Sequence, residues 1–149
     1  MEYKLTTKSE EETMEIAQNI ESEKFPNMII CLEGDLGSGK TVFTKGIAEA
    51  LGIDEIITSP TFNIIKEYDG ELPLYHMDVY RLNGNPSELG LDEYFNKNGV
   101  VVIEWSDMIK EYLPEERLEI KFKVVDEYTR ILIFTPYGTK YEEICEAVL

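Results

Sequence analysis

Positive charge is scarce in this chain. Of its 149 residues, 14 are Lys or Arg and 30 are Asp or Glu, a formal net charge of −16. Affinity for a phosphate backbone comes largely from basic side chains, so a free-standing nucleic-acid binder is disfavoured, and an anionic membrane surface with it. Cysteine is equally rare. Cys31 and Cys145 are the only two, they form no CxxC pair, and His76 is the only histidine. That leaves no disulfide framework and argues strongly against a structural zinc site. No apolar run approaches the roughly 18 residues of a membrane span. The longest lie at Met28–Leu32, Val100–Ile103 and Ile131–Phe134. Met1-Glu2-Tyr3-Lys4 is not a basic flank before an apolar stretch, so no signal peptide is expected. There is no Pro/Gly/Ser-rich linker and no internal repeat.

What is present is an ordinary globular balance, 43% hydrophobic and 30% charged. The length is close to one domain at roughly 150 residues each, and a chain of this size buries about 68–70% of its unfolded surface. One domain over residues 1–149 is therefore expected, acidic, soluble and cytoplasmic.

Residues 2–6 suit a short strand. Ser9 with Glu12 forms a capping box, and Met14, Ala17 and Ile20, with Ile16 beside them, make a helical apolar stripe. Met28–Leu32 is a continuous apolar run, the pattern of a strand covered on both faces. A glycine-rich turn at 34–39 leads into a helix from Lys40 to Leu51, with Phe43, Ile47 and Leu51 on one face and Gly52 as its stop. Residues 62–68 and 72–79 predict two strands around Asp69-Gly70. Short helical turns fit Pro86–Phe95, a second buried strand fits Val100–Glu104, two further strands fit 118–125 and 128–135, and a last helix fits Tyr141–Val148.

Gly34-Asp35-Leu36-Gly37-Ser38-Gly39-Lys40-Thr41 matches G-x-x-x-x-G-K-[ST] at every fixed position. With glycine near 7% of residues, chance produces this about once in 10⁴ positions or fewer. The strand before it and the helix after it are the context the motif requires. Glycines let backbone N–H groups close on phosphate oxygens, and the helix N-terminus adds about half a positive charge. Lys40 is placed to reach the β- and γ-phosphates, and the Thr41 hydroxyl to ligate Mg²⁺. The expected fold is α/β: a P-loop NTPase-like sheet, mixed but mostly parallel, flanked by helices, with a C-terminal antiparallel hairpin.

Such a loop needs a carboxylate from a neighbouring strand. Glu104 closes Val100–Ile103, and Asp78 closes Leu74–Met77. Both fall at strand C-termini, where open α/β sheets bind ligands. The longer Glu104 is expected to ligate the metal, and Asp78 to orient the attacking water or support the metal through water. His76 reads as a hydrogen-bonded strand residue rather than a catalyst, and Cys31 as inert core. Trp105 is equally a core aromatic or a platform beside the site.

Among P-loop proteins, a GTPase is disfavoured because Asn96-Lys97-Asn98-Gly99 lacks the aspartate of N-K-x-D. A small-molecule kinase usually gathers several arginines over the transferred group. Arg81, Arg117 and Arg130 are the only three here. A partner-dependent ATPase remains, with the kinase and a non-hydrolysing nucleotide sensor as alternatives.

Four segments, Gly34–Thr41, Thr58-Ser59-Pro60-Thr61-Phe62, His76-Met77-Asp78-Val79-Tyr80-Arg81-Leu82 and Val102-Ile103-Glu104-Trp105, resemble the TsaE (YjeE) family, in order along the chain. The resemblance implies a P-loop α/β protein binding ATP or ADP with Mg²⁺. It implies a role in forming N6-threonylcarbamoyladenosine at position 37 of tRNA. It also implies partners of the TsaD and TsaB type, with ATP hydrolysis, slow alone, resetting the complex. Leu36, Gly37, Ser38, Gly39, Lys40 and Thr41 would bind ATP, Thr41 and Glu104 the metal, and Lys40, Asp78 and Glu104 would be catalytic. Glu10 would lie near the base and Arg130 near the nucleotide. Thr61 would occupy a switch-like position, and Trp105 a functional one beside the site. A strongly acidic chain fits such a role if its partners contact the tRNA, so tRNA is expected to be met only indirectly.

Overall fold

A computed structural model describes residues 1–60, 64–82 and 85–149. The described strands are β1 (Tyr3–Thr7), β2 (Met28–Glu33), β3 (Ile65–Tyr68), β4 (Leu74–Asp78), β5 (Val100–Glu104), β6 (Arg117–Val124) and β7 (Arg130–Tyr137). The helices are α1 (Glu10–Glu21), α2 (Lys40–Ala50) and α3 (Thr139–Val148), with 3-10 segments at Pro86–Leu89, Leu91–Asn96 and Ser106–Tyr112.

The seven described strands join one sheet in the order β1-β7-β6-β2-β5-β4-β3. Its middle is parallel: β2 pairs with β5 and β6, and β5 with β4. The margins are antiparallel, β3 on β4 at one side and the β6–β7 hairpin extended by β1 at the other. The apolar runs of β2 and β5 end up in this parallel centre, where a strand has protein on both faces and alternation with polar residues is not allowed. The mixed sheet and the C-terminal hairpin are as expected.

The two faces are covered differently. Side chains from α1, α2 and α3, among them Ala17, Ile20, Phe43, Ile47, Tyr141 and Ile144, pack on one face with Met28, Ile30, Leu32, Val100 and Val102. The opposite face, with Ile29, Cys31, Met77, Val101 and Ile103, is closed by Leu91 and Ile109 from the 3-10 segments. Cys31 is fully buried, and burial pushes its thiol well above the ordinary range, consistent with inert core.

Local chemistry explains the helix ends. Ser9 Oγ accepts from the Glu12 N–H at 3.1 Å, and the Glu12 carboxylate accepts from the Lys8 N–H at 2.7 Å, a capping box whose return bond lands one residue early. The buried stripe of α1 is Thr13, Ala17, Ile20 and Glu21, with Met14 only half-buried. α2 ends in a Schellman motif. Gly52 at φ 81° donates to Glu49 O, and Ile53 donates to Ala48 O, both at 3.0 Å. Helices α1 and α2 approach so closely that a β-carbon on Gly46 would meet Ala17 Cβ at 2.7 Å.

Two boundaries differ from expectation. β3 begins at Ile65 rather than 62, residues 62 and 63 lying outside the described chain, and β4 begins at Leu74. The link between them is therefore five residues, Asp69–Pro73, not a tight two-residue turn. Gly70 packs against the end of α2, where a β-carbon would sit 2.8 Å from Leu51 O.

Candidate functional site

The parallel strands β2, β5 and β4 end side by side. Leu32 pairs with Glu104, and Glu104 with Asp78, so both candidate carboxylates reach the same edge just beyond the glycine-rich loop. The loop joins β2 to α2. Gly39 precedes the helix at φ 113°, a conformation that favours glycine, and no described side chain caps α2. The first N–H groups of α2 are left without a side-chain acceptor, the arrangement that favours an anion.

Lys40 is 4% exposed and folds back over its own loop. Its Nζ donates to Gly34 O at 2.5 Å and to Asp35 O at 3.1 Å, and lies 3.9 Å from the centre of the Trp105 ring. Burial pulls its pKa below the ordinary lysine value, opposed by the negative charges of Glu104 and Asp78. Thr41 Oγ1 lies 3.2 and 3.3 Å from the two carboxylate oxygens of Glu104. Ser59 Oγ joins the same cluster, 3.1 Å from Thr41 Oγ1 and 3.4 Å from Glu104 Oε1. Behind it, His76 Nε2 sits 2.5 Å from Glu104 Oε2.

Asp78 is half-buried and, among the described residues, makes no hydrogen bond to that cluster: its Oδ1 accepts from the Tyr80 N–H at 3.0 Å. Burial raises its pKa, while the Tyr80 N–H works in the opposite direction. Trp105 follows Glu104 at φ 62°, a strained backbone for a bulky residue. That turn sets its ring against Lys40 and, at 4.7 Å between centres, against Tyr80. Of the two readings open for Trp105, the platform beside the site describes its position.

A cleft of about 860 Å³ opens over this edge. It brings together Glu10, Leu36, Gly37, Gly39, Lys40, Thr41, Asp78, Glu104, Trp105 and Arg130, which are spread over most of the chain. Ser38 is buried below, and its carbonyl accepts from Arg130 Nε at 3.2 Å. The Arg130 guanidinium also donates to the carbonyls of Gly37, Asp126, Glu127 and Thr129, so it braces the β6–β7 turn against the loop. Thr61, the expected switch-like residue, lies outside the described residues.

Two members of the cluster go beyond the site groups that the sequence suggests. Ser59 reaches Thr41 only through the path of the loop after α2; its one signal in the sequence is its place in Thr58-Ser59-Pro60. His76 is the bonded strand residue that the sequence suggests, but its partner is the candidate metal carboxylate. Among the described residues no three His, Cys, Asp or Glu side chains converge on a metal position. The oxygen donors of Thr41, Ser59 and Glu104 nonetheless suit a hard cation, since Mg²⁺ takes one or two carboxylates and completes its shell with waters and phosphate oxygens.

Comparison with known proteins places the chain in a family. Residues 7–132 match the family described as threonylcarbamoyl adenosine biosynthesis protein TsaE. A tRNA threonylcarbamoyladenosine biosynthesis protein TsaE of Bacillus subtilis is 52% identical over 146 residues, spanning 97% of this chain and 92% of that protein. The protein of the same name in Treponema pallidum is 44% identical over 104 residues, 68% of this chain and 77% of that one. The crystal structure of Bacillus subtilis YdiB superposes with a TM-score of 0.87 at 48% identity, covering 99% of this chain and 94% of that chain.

Proposed function

The chain belongs to the TsaE family of threonylcarbamoyladenosine biosynthesis proteins, and from that premise we propose that it is a Mg²⁺-dependent, partner-activated ATPase of tRNA modification. One observation carries the reading. The glycine-rich loop, the uncapped start of α2, Lys40 and the Thr41–Glu104 pair all face one cleft large enough for a nucleotide.

In this reading the backbone N–H groups of residues 36–41 cradle the phosphates. Lys40 exchanges its bonds to Gly34 O and Asp35 O for oxygens of the β- and γ-phosphates. Thr41 and Glu104 hold the cation, which when bound neutralises charge on the triphosphate. Asp78 orients the water that attacks the γ-phosphorus. Arg130 holds the β6–β7 turn, and with it one wall of the cleft, against the loop, and Glu10 at the start of α1 lines the same cleft. Trp105 holds Lys40 at the cleft floor until nucleotide draws it away. TsaD- and TsaB-like proteins are the proposed partners, the cytoplasm the proposed compartment, and tRNA is met only through the partners. No helix among the described residues is long and apolar enough to cross a membrane.

The test is single-turnover ATP hydrolysis with and without the TsaD–TsaB pair. The expected result is slow Mg²⁺-dependent release of phosphate alone and at least about tenfold faster release with the partners, a gain of ~1.4 kcal/mol in barrier. ATP binding with no turnover in either condition would replace the ATPase by a nucleotide sensor. Transfer of the γ-phosphoryl to a small acceptor would replace it by a kinase.

A further inference from the structure

The geometry points to a role for His76: we propose that it is a positioning residue, which clamps one oxygen of Glu104 and so presents the other to the cation at Thr41. The proposal rests on the nucleotide and metal reading above and goes beyond it in assigning the support of the metal carboxylate.

His76 lies in the middle of β4 and is fully buried. Alternation along the strands places it on the α2 face of the sheet with Val102 and Glu104, and the β4–β5 register sets it opposite Val102, diagonal to Glu104. Nothing in that setting favours an imidazole for packing, since Leu74 and Val102 around it on the same face are apolar core. A buried polar ring is retained there at a cost unless it is bonded. Among the described residues it makes one bond, from Nε2 to Glu104 Oε2 at 2.5 Å. A carboxylate only accepts, so Nε2 is the donor. Nδ1 is buried with no hydrogen-bond partner among the described residues. A hydrogen there would be an unmet donor, so the ring adopts the Nε2–H tautomer.

Glu104 is 2% exposed, and its side-chain donors among the described residues are Thr41, Ser59 and His76. The O–H bonds of Thr41 and Ser59 can swing to other acceptors, and the Thr41 oxygen can ligate a cation through a lone pair whether or not its hydrogen stays on Glu104. Of the three donors His76 alone stands on a strand of the sheet, paired on both sides by β3 and β5, and its ring donor does not depend on a hydroxyl rotor. With Oε2 clamped, Oε1 stays directed at Thr41 and Ser59. This is the outer-shell arrangement that fixes a metal ligand's orientation, and loss of such a partner typically weakens metal binding about 10–100-fold.

Because His76 and Trp105 are the only residues of their kinds, each gives a one-residue signal. The first measurement is the long-range nitrogen–proton NMR spectrum of the imidazole in the nucleotide-free chain. We expect the Nε2–H tautomer, with the Nε2–H resonance moving toward that of an unbonded ring in Glu104→Ala. The second is the Mg²⁺ concentration that half-saturates ADP binding, followed by Trp105 fluorescence. In His76→Leu it rises about 10–100-fold, while ADP binding in chelator changes less than about twofold. His76→Gln, which returns a donor near the Nε2 position, recovers to within about fivefold. An Nδ1–H tautomer in the parent chain, or a folded His76→Leu with the parent Mg²⁺ requirement, overturns the proposal while leaving the nucleotide reading intact. No ADP binding by the parent chain overturns both. If His76→Leu does not fold, the tautomer and the Gln variant decide: Gln binding ADP with a Mg²⁺ requirement raised as far as the loss of the donor predicts also counts against the clamp.

Discussion

The strands β4 and β5 present two unlike faces. Toward α2 they carry His76, Asp78, Val102 and Glu104; toward the 3-10 segments they carry Tyr75, Met77, Val101 and Ile103. Both faces are covered, so groups on either one lose water. The second face meets this loss with apolar groups and one tyrosine, Tyr75, whose hydroxyl donates to Lys97 O at 3.4 Å. The first accepts a buried imidazole and a buried carboxylate because each supplies the other's partner, with Thr41 completing the set. The buried ionisable side chains of these two strands, His76 and Glu104, both lie on the face that adjoins the phosphate loop. Stability and function therefore separate by face, and substitutions on the two faces should give different signatures.

The largest expected effect is at the loop. Lys40→Ala removes the cation that meets the phosphates, and ADP affinity measured by calorimetry should fall about 10³-fold, ~4 kcal/mol, through loss of charge-assisted hydrogen bonds. Fold stability in denaturant should change far less, since the side chain's present hydrogen-bond acceptors are two loop carbonyls. A loss of less than about threefold would break the assignment of the α2 face to nucleotide binding.

The second effect inverts the pattern. Val101→Ala empties part of the opposite face, where Val101 is fully buried. Urea denaturation should show a loss of ~2 kcal/mol from transfer and cavity terms together. ADP affinity of the folded variant should stay within about twofold of the parent. A large drop in affinity at equal foldedness would show that the two faces are coupled.

The smallest effect sharpens the comparison on the site's own face, at the other end of β2. There the Ile29 N–H donates to Tyr141 Oη at 2.9 Å. Tyr141→Phe should cost ~1 kcal/mol for the lost bond and leave nucleotide binding unchanged. Burial pushes the Tyr141 hydroxyl up to about 12 from its ordinary value of 10.0. The folded protein then holds a proton that the unfolded chain releases, so this contribution is intact below pH 10 and fades as pH rises through about 12. Melting curves across that window should fall less steeply for Tyr141→Phe than for the parent.

Much of the site is legible in the chain itself. Lys40 and Thr41 belong to a contiguous motif whose chemistry is local, and Glu104 and Asp78 announce themselves as charges ending apolar runs. Glu10 and Arg130 come only with the family resemblance, and the structure seats both at the same cleft. Ser59 and the partner of His76 are not legible. Ser59 meets Thr41 across 18 residues, and His76 meets Glu104 across 28, contacts that depend on loop path and strand register rather than on spacing.

The sequence alone determined the phosphate loop, the helix behind it and the buried central strands, because glycine conformational freedom, helix capping and hydrophobic periodicity act between near neighbours. Only the tertiary structure decided which strands lie side by side and which face each polar group shares. The β4–β5 register sets Glu104 beside Asp78 at one sheet end and brings the lone histidine onto Glu104, and pairing between distant segments is written in the packing of the whole sheet rather than in any one stretch of chain.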